Sequence, residues 1–328
     1  MMSAIDFHAY YQPPGFLDYL RKRKDYPRVE KTPQGEFVFT SAKSARLIRP
    51  EQLDLDLRIE MMDKSGVKAQ ILRLQNVGGI DAFPPAEAID MARSINEELS
   101  EIARKYSGRF IPFAAVPLQN PEKAAMEVSY AVLKLGHQGV GASCQINGVG
   151  LDDERYASFL KTVESCGVPI IVLPNHPSLL NDSLENYQWL SGAFGFQVDL
   201  TWAALRLLAS GACEQYPKLT VIIANLGGVL TSITERLDEY WLRVHAGSTT
   251  LKEKPSVALR HFYYETASSD HRTIALAASI FGSDRLLFGS DYPSFSLDRG
   301  MKNVLECGLP KEDINLILHG NAAKIFQT

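Results

Sequence analysis

A few polar residues stand at the ends of short apolar runs, where their side chains could work together. They are His8 and Tyr10, Arg73, Ser143, Cys144 and Gln145, Asn175 and His176, Asn225, Glu265 and Asp291. Histidine and aspartate exchange protons near neutral pH, and both are ordinary ligands for a divalent metal. Tyrosine and asparagine can donate hydrogen bonds to a developing oxyanion. Arginine holds a carboxylate through its planar fork. Each residue also has an ordinary structural role open to it. His8 could be a satisfied buried histidine. Asp291, in Gly289-Ser290-Asp291-Tyr292-Pro293, could cap the following helix. His176, in Pro174-Asn175-His176-Pro177, could be exposed in a turn, and Glu265 could pair with an arginine. Taken singly, function is favoured for His8 and Asp291, and structure for Glu265 and Arg73. The remaining five histidines fall in helices or connections, where packing or surface roles are expected. The functional signal lies in the set, provided the fold brings it to one place.

The elements that would do so are readable. Apolar runs at 4–8, 69–74, 110–117, 139–145, 169–173, 219–224, 262–266 and 286–290 read as strands. Most are continuous rather than alternating, as parallel strands buried on both faces should be. Helical stretches lie between them. In 86–106 the apolar Ile89, Ala92, Ile95, Leu99 and Ile102 recur at helical spacing, and 121–135, 154–166, 201–214, 230–244, 270–281 and 311–326 read likewise. Eight strands alternating with helices predict an α/β fold, a (β/α)8 TIM barrel, whose chemistry sits at the carboxyl ends of the strands. A doubly wound open sheet is the rival, but no GxGxxG or GxxxxGK loop follows any strand.

Residues 11–53 interrupt this beat and are expected to form a lid over the barrel mouth, inserted after strand one. The segment carries a basic run, Arg21-Lys22-Arg23-Lys24, read as surface, and a hairpin signal at 37–40. Arg46 and Arg49 lie next to the barrel's return and are candidate carboxylate clamps. The 328 residues are therefore read as one barrel domain, 1–328, rather than two.

Composition narrows the partners. Thirty-four basic and 38 acidic residues give a net charge of −4 with no basic stripe, which argues against nucleic acid. The longest apolar runs are about ten residues, against the roughly 20 of a spanning helix, so no membrane segment is expected. The opening Met1-Met2-Ser3-Ala4-Ile5-Asp6 does not read as a signal peptide. Cys144, Cys166, Cys213 and Cys307 form no CxxC pair and are expected as four buried thiols of a cytoplasmic enzyme.

The motifs together resemble a known group. Ile5-Asp6-Phe7-His8-Ala9-Tyr10 is similar to an opening "IDxHxH", and Asp199-Leu200-Thr201 with the stretch 203–210 to "ETTLAALRLIFSG". Ser94 to Leu99, Gly108-Arg109-Phe110 and Ala115-Val116-Pro117-Leu118 resemble the same group's second helix and third strand. Leu287-Phe288-Gly289-Ser290-Asp291-Tyr292-Pro293 resembles its strand-eight signature, and His319-Gly320-Asn321-Ala322 its final helix. The group is the amidohydrolase-related family that includes aminocarboxymuconate-semialdehyde decarboxylase, and the likeness covers nearly the whole chain. It implies one divalent metal, zinc or manganese, held by two strand-one histidines, a histidine after strand five and the strand-eight aspartate. It also implies a catalytic histidine after strand six, and a homodimer. His8 and Asp291 match this pattern. Tyr10 replaces the second histidine, Leu173 the strand-five ligand and Asn225 the strand-six histidine. Leucine cannot ligate, neutral tyrosine ligates poorly and asparagine cannot exchange a proton. His176, three residues past Leu173, is the candidate repair, giving a metal site of His8, His176 and Asp291; a metal-free pocket is the other reading.

The resemblance implies decarboxylation of aromatic or unsaturated acids, or hydrolysis. The leading expectation is a decarboxylase or related lyase acting on a small cyclic or aromatic carboxylate, with a weakened or absent metal site. Asp291 is the expected general acid/base, with His8 and His176 as proton partners or ligands. Tyr10 and Asn225 are the expected oxyanion donors, and Arg46, Arg49, Arg73 and Gln145 the substrate-binding candidates. A metal-dependent hydrolase of an ester, lactone or amide using His8, His176 and Asp291 is one alternative. A catalytically dead binding barrel is another.

Overall fold

The structure, a computed structural model, describes residues 3–326 apart from Lys43, Asn76, Val77, 175–177, Asn181, Asp182, Glu185, 245–250 and Ser268. Eight parallel strands follow one another in chain order: β1 (Ala4–Asp6), β2 (Val67–Leu72), β3 (Phe110–Ala115), β4 (Gly139–Ser143), β5 (Ile170–Leu173), β6 (Val221–Ile223), β7 (Tyr263–Glu265) and β8 (Leu286–Leu287). Each pairs with the next, as Ile170 does with Val140 on one side and Val221 on the other. The ring closes beyond the regular ladder: Phe7 N donates to Phe288 O at 2.8 Å, and Ala9 bridges to Tyr292. The barrel predicted from the alternating pattern is thus present. Its strands carry an almost wholly buried apolar sequence, since helices cover the outside and side chains fill the inside.

Most strands are shorter than their apolar runs, and β2 is shifted two residues earlier. β8 stops at Leu287 because Phe288 N turns to Ile317 O and the next residues bend over the mouth. The helix expected at 201–214 starts earlier and ends earlier, at Phe196–Ala209. The stretch 311–326 is three pieces, Lys311–Asn315, a wide turn at Leu316–Gly320 and Asn321–Phe326. A further helix, Leu297–Leu305, is capped by Ser296.

The described residues of 11–53 form a helix and a small sheet. Helix Pro14–Lys22 buries Phe16, Leu17 and Leu20, and an antiparallel sheet follows, formed by Arg28–Thr32, Gly35–Ser41 and Ser44–Leu47. The hairpin signal at 37–40 falls in the central strand of this sheet, which pairs antiparallel with both neighbours. Arg21 is on the surface with Asp18 and Glu36, but Arg23 lies over the Phe83 ring at 4.6 Å, so the basic run is not uniformly solvated. All four cysteines are free, but only Cys144 and Cys307 are buried; Cys166 and Cys213 are half-buried. Among the described residues no helix is long and apolar enough to cross a membrane.

Candidate active site

The mouth is organised from below by Asp6. Its buried carboxylate accepts from His8 N, Gln70 Nε2, Ser290 N and Ser290 Oγ at 2.6–3.0 Å. One side chain therefore ties the ends of β1, β2 and β8 together. Burial pushes the Asp6 carboxyl up, and the hydrogen bonds pull against that shift.

His8 emerges just above, 5% exposed, and Glu265 at the end of β7 holds it. His8 Nδ1 lies 2.8 Å from Glu265 Oε1. The same oxygen accepts Asn225 N at 2.6 Å, and Oε2 accepts Ala267 N at 2.7 Å. Burial alone would lower the His8 pKa, but the charge and hydrogen bond of Glu265, with help from Asp291, raise it overall; Arg73 opposes them. The glutamate therefore orients the ring with Nε2 toward the mouth and favours its proton. Gly289 makes room for this arrangement, because a Cβ there would fall inside the Glu265 carboxylate.

Asp291 receives that outward nitrogen, its Oδ1 3.6 Å from His8 Nε2. Its φ of 59° is left-handed, which aspartate tolerates better than most residues. It does not cap the next helix; Ser296 does, through Arg299 N. Tyr10 hydrogen-bonds Ser294 Oγ, and burial, reinforced by Asp291, raises its phenol pKa. Asn225 opens a left-handed turn after β6, with φ of 50° followed by 53°, 71° and 70° through Gly228. At Gly228 a side chain would strike the Gln197 carbonyl. The Asn225 side-chain oxygen is buried with no hydrogen-bond partner, so a polar group is left for a bound molecule.

The arginines separate by place. Arg73, one residue past β2, is 4% exposed and lies 5.9 Å from the Tyr10 ring. Burial brings its pKa to about 10, against the opposing charges of Asp291 and Glu265. Arg49 reaches the same loop from outside, Nη1 to Pro293 O at 3.3 Å, and the Arg46 charge acts on the Tyr10 hydroxyl. Gln145 instead accepts Gly148 N at 2.7 Å and braces its own turn. His176 lies outside the described residues.

Three groups escape a reading by residue type. Glu265 is fully buried and holds a histidine, not an arginine. Asp81 accepts from Ser143 Oγ beside a cavity of about 30 Å³ that also touches Arg73, and burial raises its pKa to about 6. Arg58 is completely buried under the β1–β8 junction, with Nη2 donating to Tyr10 O at 2.7 Å and its guanidinium 5.1 Å from the Tyr292 ring. No local motif marks any of the three.

A family model described as Amidohydrolase matches residues 5–328. The chain belongs to the amidohydrolase family. Among its relatives, Gamma-resorcylate decarboxylase of Polaromonas sp. (strain JS666) is 30% identical over 318 residues, spanning 91% of this chain and 95% of that one. The 2-amino-3-carboxymuconate-6-semialdehyde decarboxylase of Dictyostelium discoideum is 23% identical over 241 residues, spanning 73% and 67%. The crystal structure of a dihydroxybenzoic acid decarboxylase from Polaromonas sp. JS666, with bound manganese and the inhibitor 2-nitroresorcinol, superposes with a TM-score of 0.83. It is 25% identical to this chain and is covered over 97% of its length, with 100% of this chain matched.

The described residues of this amidohydrolase do not make the family's metal site. Only His8 Nε2 and Asp291 face one another as donors, and no cluster of three His, Cys, Asp or Glu residues occurs among the described residues. Leu173 is 1% exposed at a ligand position, and the Tyr10 hydroxyl is turned to Ser294. These two described donors are fewer than the three protein ligands of a catalytic zinc site, and His176, the expected third, lies outside the described residues.

Proposed function

We propose that this amidohydrolase decarboxylates a small aromatic acid carrying a hydroxyl beside its carboxylate, of the γ-resorcylate type. The observation that carries the reading is the His8–Asp291 pair at the barrel mouth, backed by Glu265 and faced by the buried charge of Arg73. The decarboxylase relatives support the same chemistry and favour neither the hydrolase nor the binding-barrel alternative.

The chain's own residues can supply each part. Asp291, protonated, delivers its proton to the ring carbon that bears the carboxylate. The bond from that carbon to the carboxylate then breaks, CO2 leaves, and the bonding pair returns to the ring. Asp291 remains as a carboxylate and is reprotonated by His8, whose raised pKa keeps a proton available and which recovers it from solvent. Arg73 attracts the substrate carboxylate, and Asn225 Oδ1, buried without a partner, accepts from a ring hydroxyl. Residues 11–53 form the lid of this reading, its support being the contact of Arg49 with the Pro293 carbonyl.

The test is chromatography of products from a panel of ortho-hydroxylated benzoates, γ-resorcylate first. Release of the matching phenol is expected, with kcat falling about 10²- to 10⁴-fold in Asp291→Asn. No phenol from any member of the panel, or full activity in Asp291→Asn, overturns the assignment.

A further inference from the structure

We propose that Asp81 and Ser143 form a hydroxyl pocket beside the mouth, which selects among aromatic acids by a second ring hydroxyl, besides the one next to the carboxylate. The proposal rests on the decarboxylase reading for the ring, and on the geometry at the ends of β2, β3 and β4 for the pocket. Arg73 and Gln75 close one side, Ala115 another, and Gly141 and Ser143 a third, around a cavity of about 30 Å³. Asp81, partly exposed, completes the wall. Room of this size takes a hydroxyl group or a water, not a ring.

The acid is held in place. Asp81 sits in a single turn, Ile80–Ala82, that Gln119 clamps from beyond β3, its Nε2 donating to Ile80 O at 2.7 Å and to Phe83 O at 3.1 Å. The buried Ser143 Oγ donates to Asp81 Oδ2. A carboxylate has about four acceptor positions, and a hydroxyl that donates still accepts. The capacity that remains suits a ligand that brings an O–H. Arg73 lines the same cavity, so the pocketed hydroxyl and the carboxylate that Arg73 attracts belong to one bound molecule. Asn225 follows β6, on a different arc of the barrel, and takes a different hydroxyl.

Gly141 keeps the space open. A Cβ there would meet Ala114 O at 3.8 Å, Leu173 Cδ1 at 3.8 Å and Arg73 Cδ at 3.9 Å, all ordinary contacts. A methyl group would therefore fit without displacing its neighbours, and would take up room in the cavity. Packing does not require a glycine here; an open pocket does.

The test compares γ-resorcylate with salicylate, which lacks one hydroxyl, by calorimetric titration in the Asp291→Asn background, so that turnover does not consume the ligand. The affinity ratio of the two acids is measured with the pocket intact, then with Gly141→Ala and with Asp81→Asn. The intact pocket should favour γ-resorcylate, and each substitution should shrink that preference at least about tenfold, the worth of one hydrogen bond to a buried charged group. A ratio left unchanged by either substitution, as for a cavity that holds only water, overturns the proposal, and so does binding of neither acid. Should Gly141→Ala fail to fold, Asp81→Asn, which keeps an oxygen for the Ser143 hydroxyl, decides alone. A preference that vanishes in the variants upholds the pocket even where the parent forms no phenol. Turnover by the parent with an unchanged preference sinks the pocket and leaves the decarboxylase assignment standing.

Discussion

His8 and Asp291 are joined twice. Asp291 N donates to His8 O at 2.7 Å, and the His8 ring reaches back to the Asp291 carboxylate at 3.6 Å. The backbone bond fixes the spacing of the two side chains at the mouth. Residues from the two ends of the chain thereby act as one rigid unit.

Replacing Glu265 tests what orients that unit. In Glu265→Gln the amide still fits, but the charge that raises the His8 pKa is gone and an N–H group now faces a backbone donor, Asn225 N or Ala267 N. NMR titration of the His8 imidazole should show a lower pKa than in the parent, and kcat should fall about 10²-fold or more. An unchanged His8 titration would mean that Glu265 only packs.

Gly289→Ala tests the space rather than the charge. Its methyl group overlaps the Glu265 carboxylate and crowds His8 Cβ, and both neighbours are held by buried bonds. A loss of about 1–3 kcal/mol in urea unfolding is expected, with a larger proportional loss of activity than of folded protein.

Burial makes His137 a pH-sensitive element away from the mouth. Its Nε2 is bonded to Asn96 O at 2.9 Å, and burial lowers its pKa to about 4. The unfolded chain takes up this proton near pH 6.5, the folded one only near pH 4. Stability from this residue is therefore full above about pH 6.5 and declines as pH falls toward 4, by roughly 3 kcal/mol in all. Denaturation midpoints of His137→Gln, compared with the parent at pH 7 and pH 4.5, should show a flatter dependence in the variant.

Arg58 carries a cost as well as a bond. Two of its nitrogens, Nε and Nη1, are buried without partners, while Nη2 serves the Tyr10 and Glu51 carbonyls. Arg58→Met keeps the stem volume and removes the stranded donors, so it should cost no more than about 2 kcal/mol. Arg58→Ala opens a cavity beneath Tyr292 and should cost about 3–5 kcal/mol. Chemical denaturation of the two variants side by side checks the order.

The barrel was legible because buried parallel strands demand unbroken apolar runs, and β5 and β6 carry them plainly. His8 and Asp291 were legible for the same reason, as polar residues directly beyond such runs. Glu265 was not, because one glutamate closing a three-residue strand looks the same whether it meets an arginine or a histidine. The partner is set by a strand some 257 residues earlier in the chain. Arg73 was named only as one of three arginines. Its burial against the Tyr10 ring, 63 residues earlier in the chain, is a relation that no local window contains. Strand ends were overread at β8, where the Phe288 N–H turns to Ile317 O while its carbonyl still accepts from Phe7 N.

The carboxylate of Asp6 has a consequence for how the molecule is made. Its bonds to Ser290 span 284 residues, and they hold the loop that presents Asp291. During synthesis, the first strand waits for almost the entire polypeptide before this clasp can close. Until then the His8 and Asp291 side chains lack one another, however much of the barrel has already assembled.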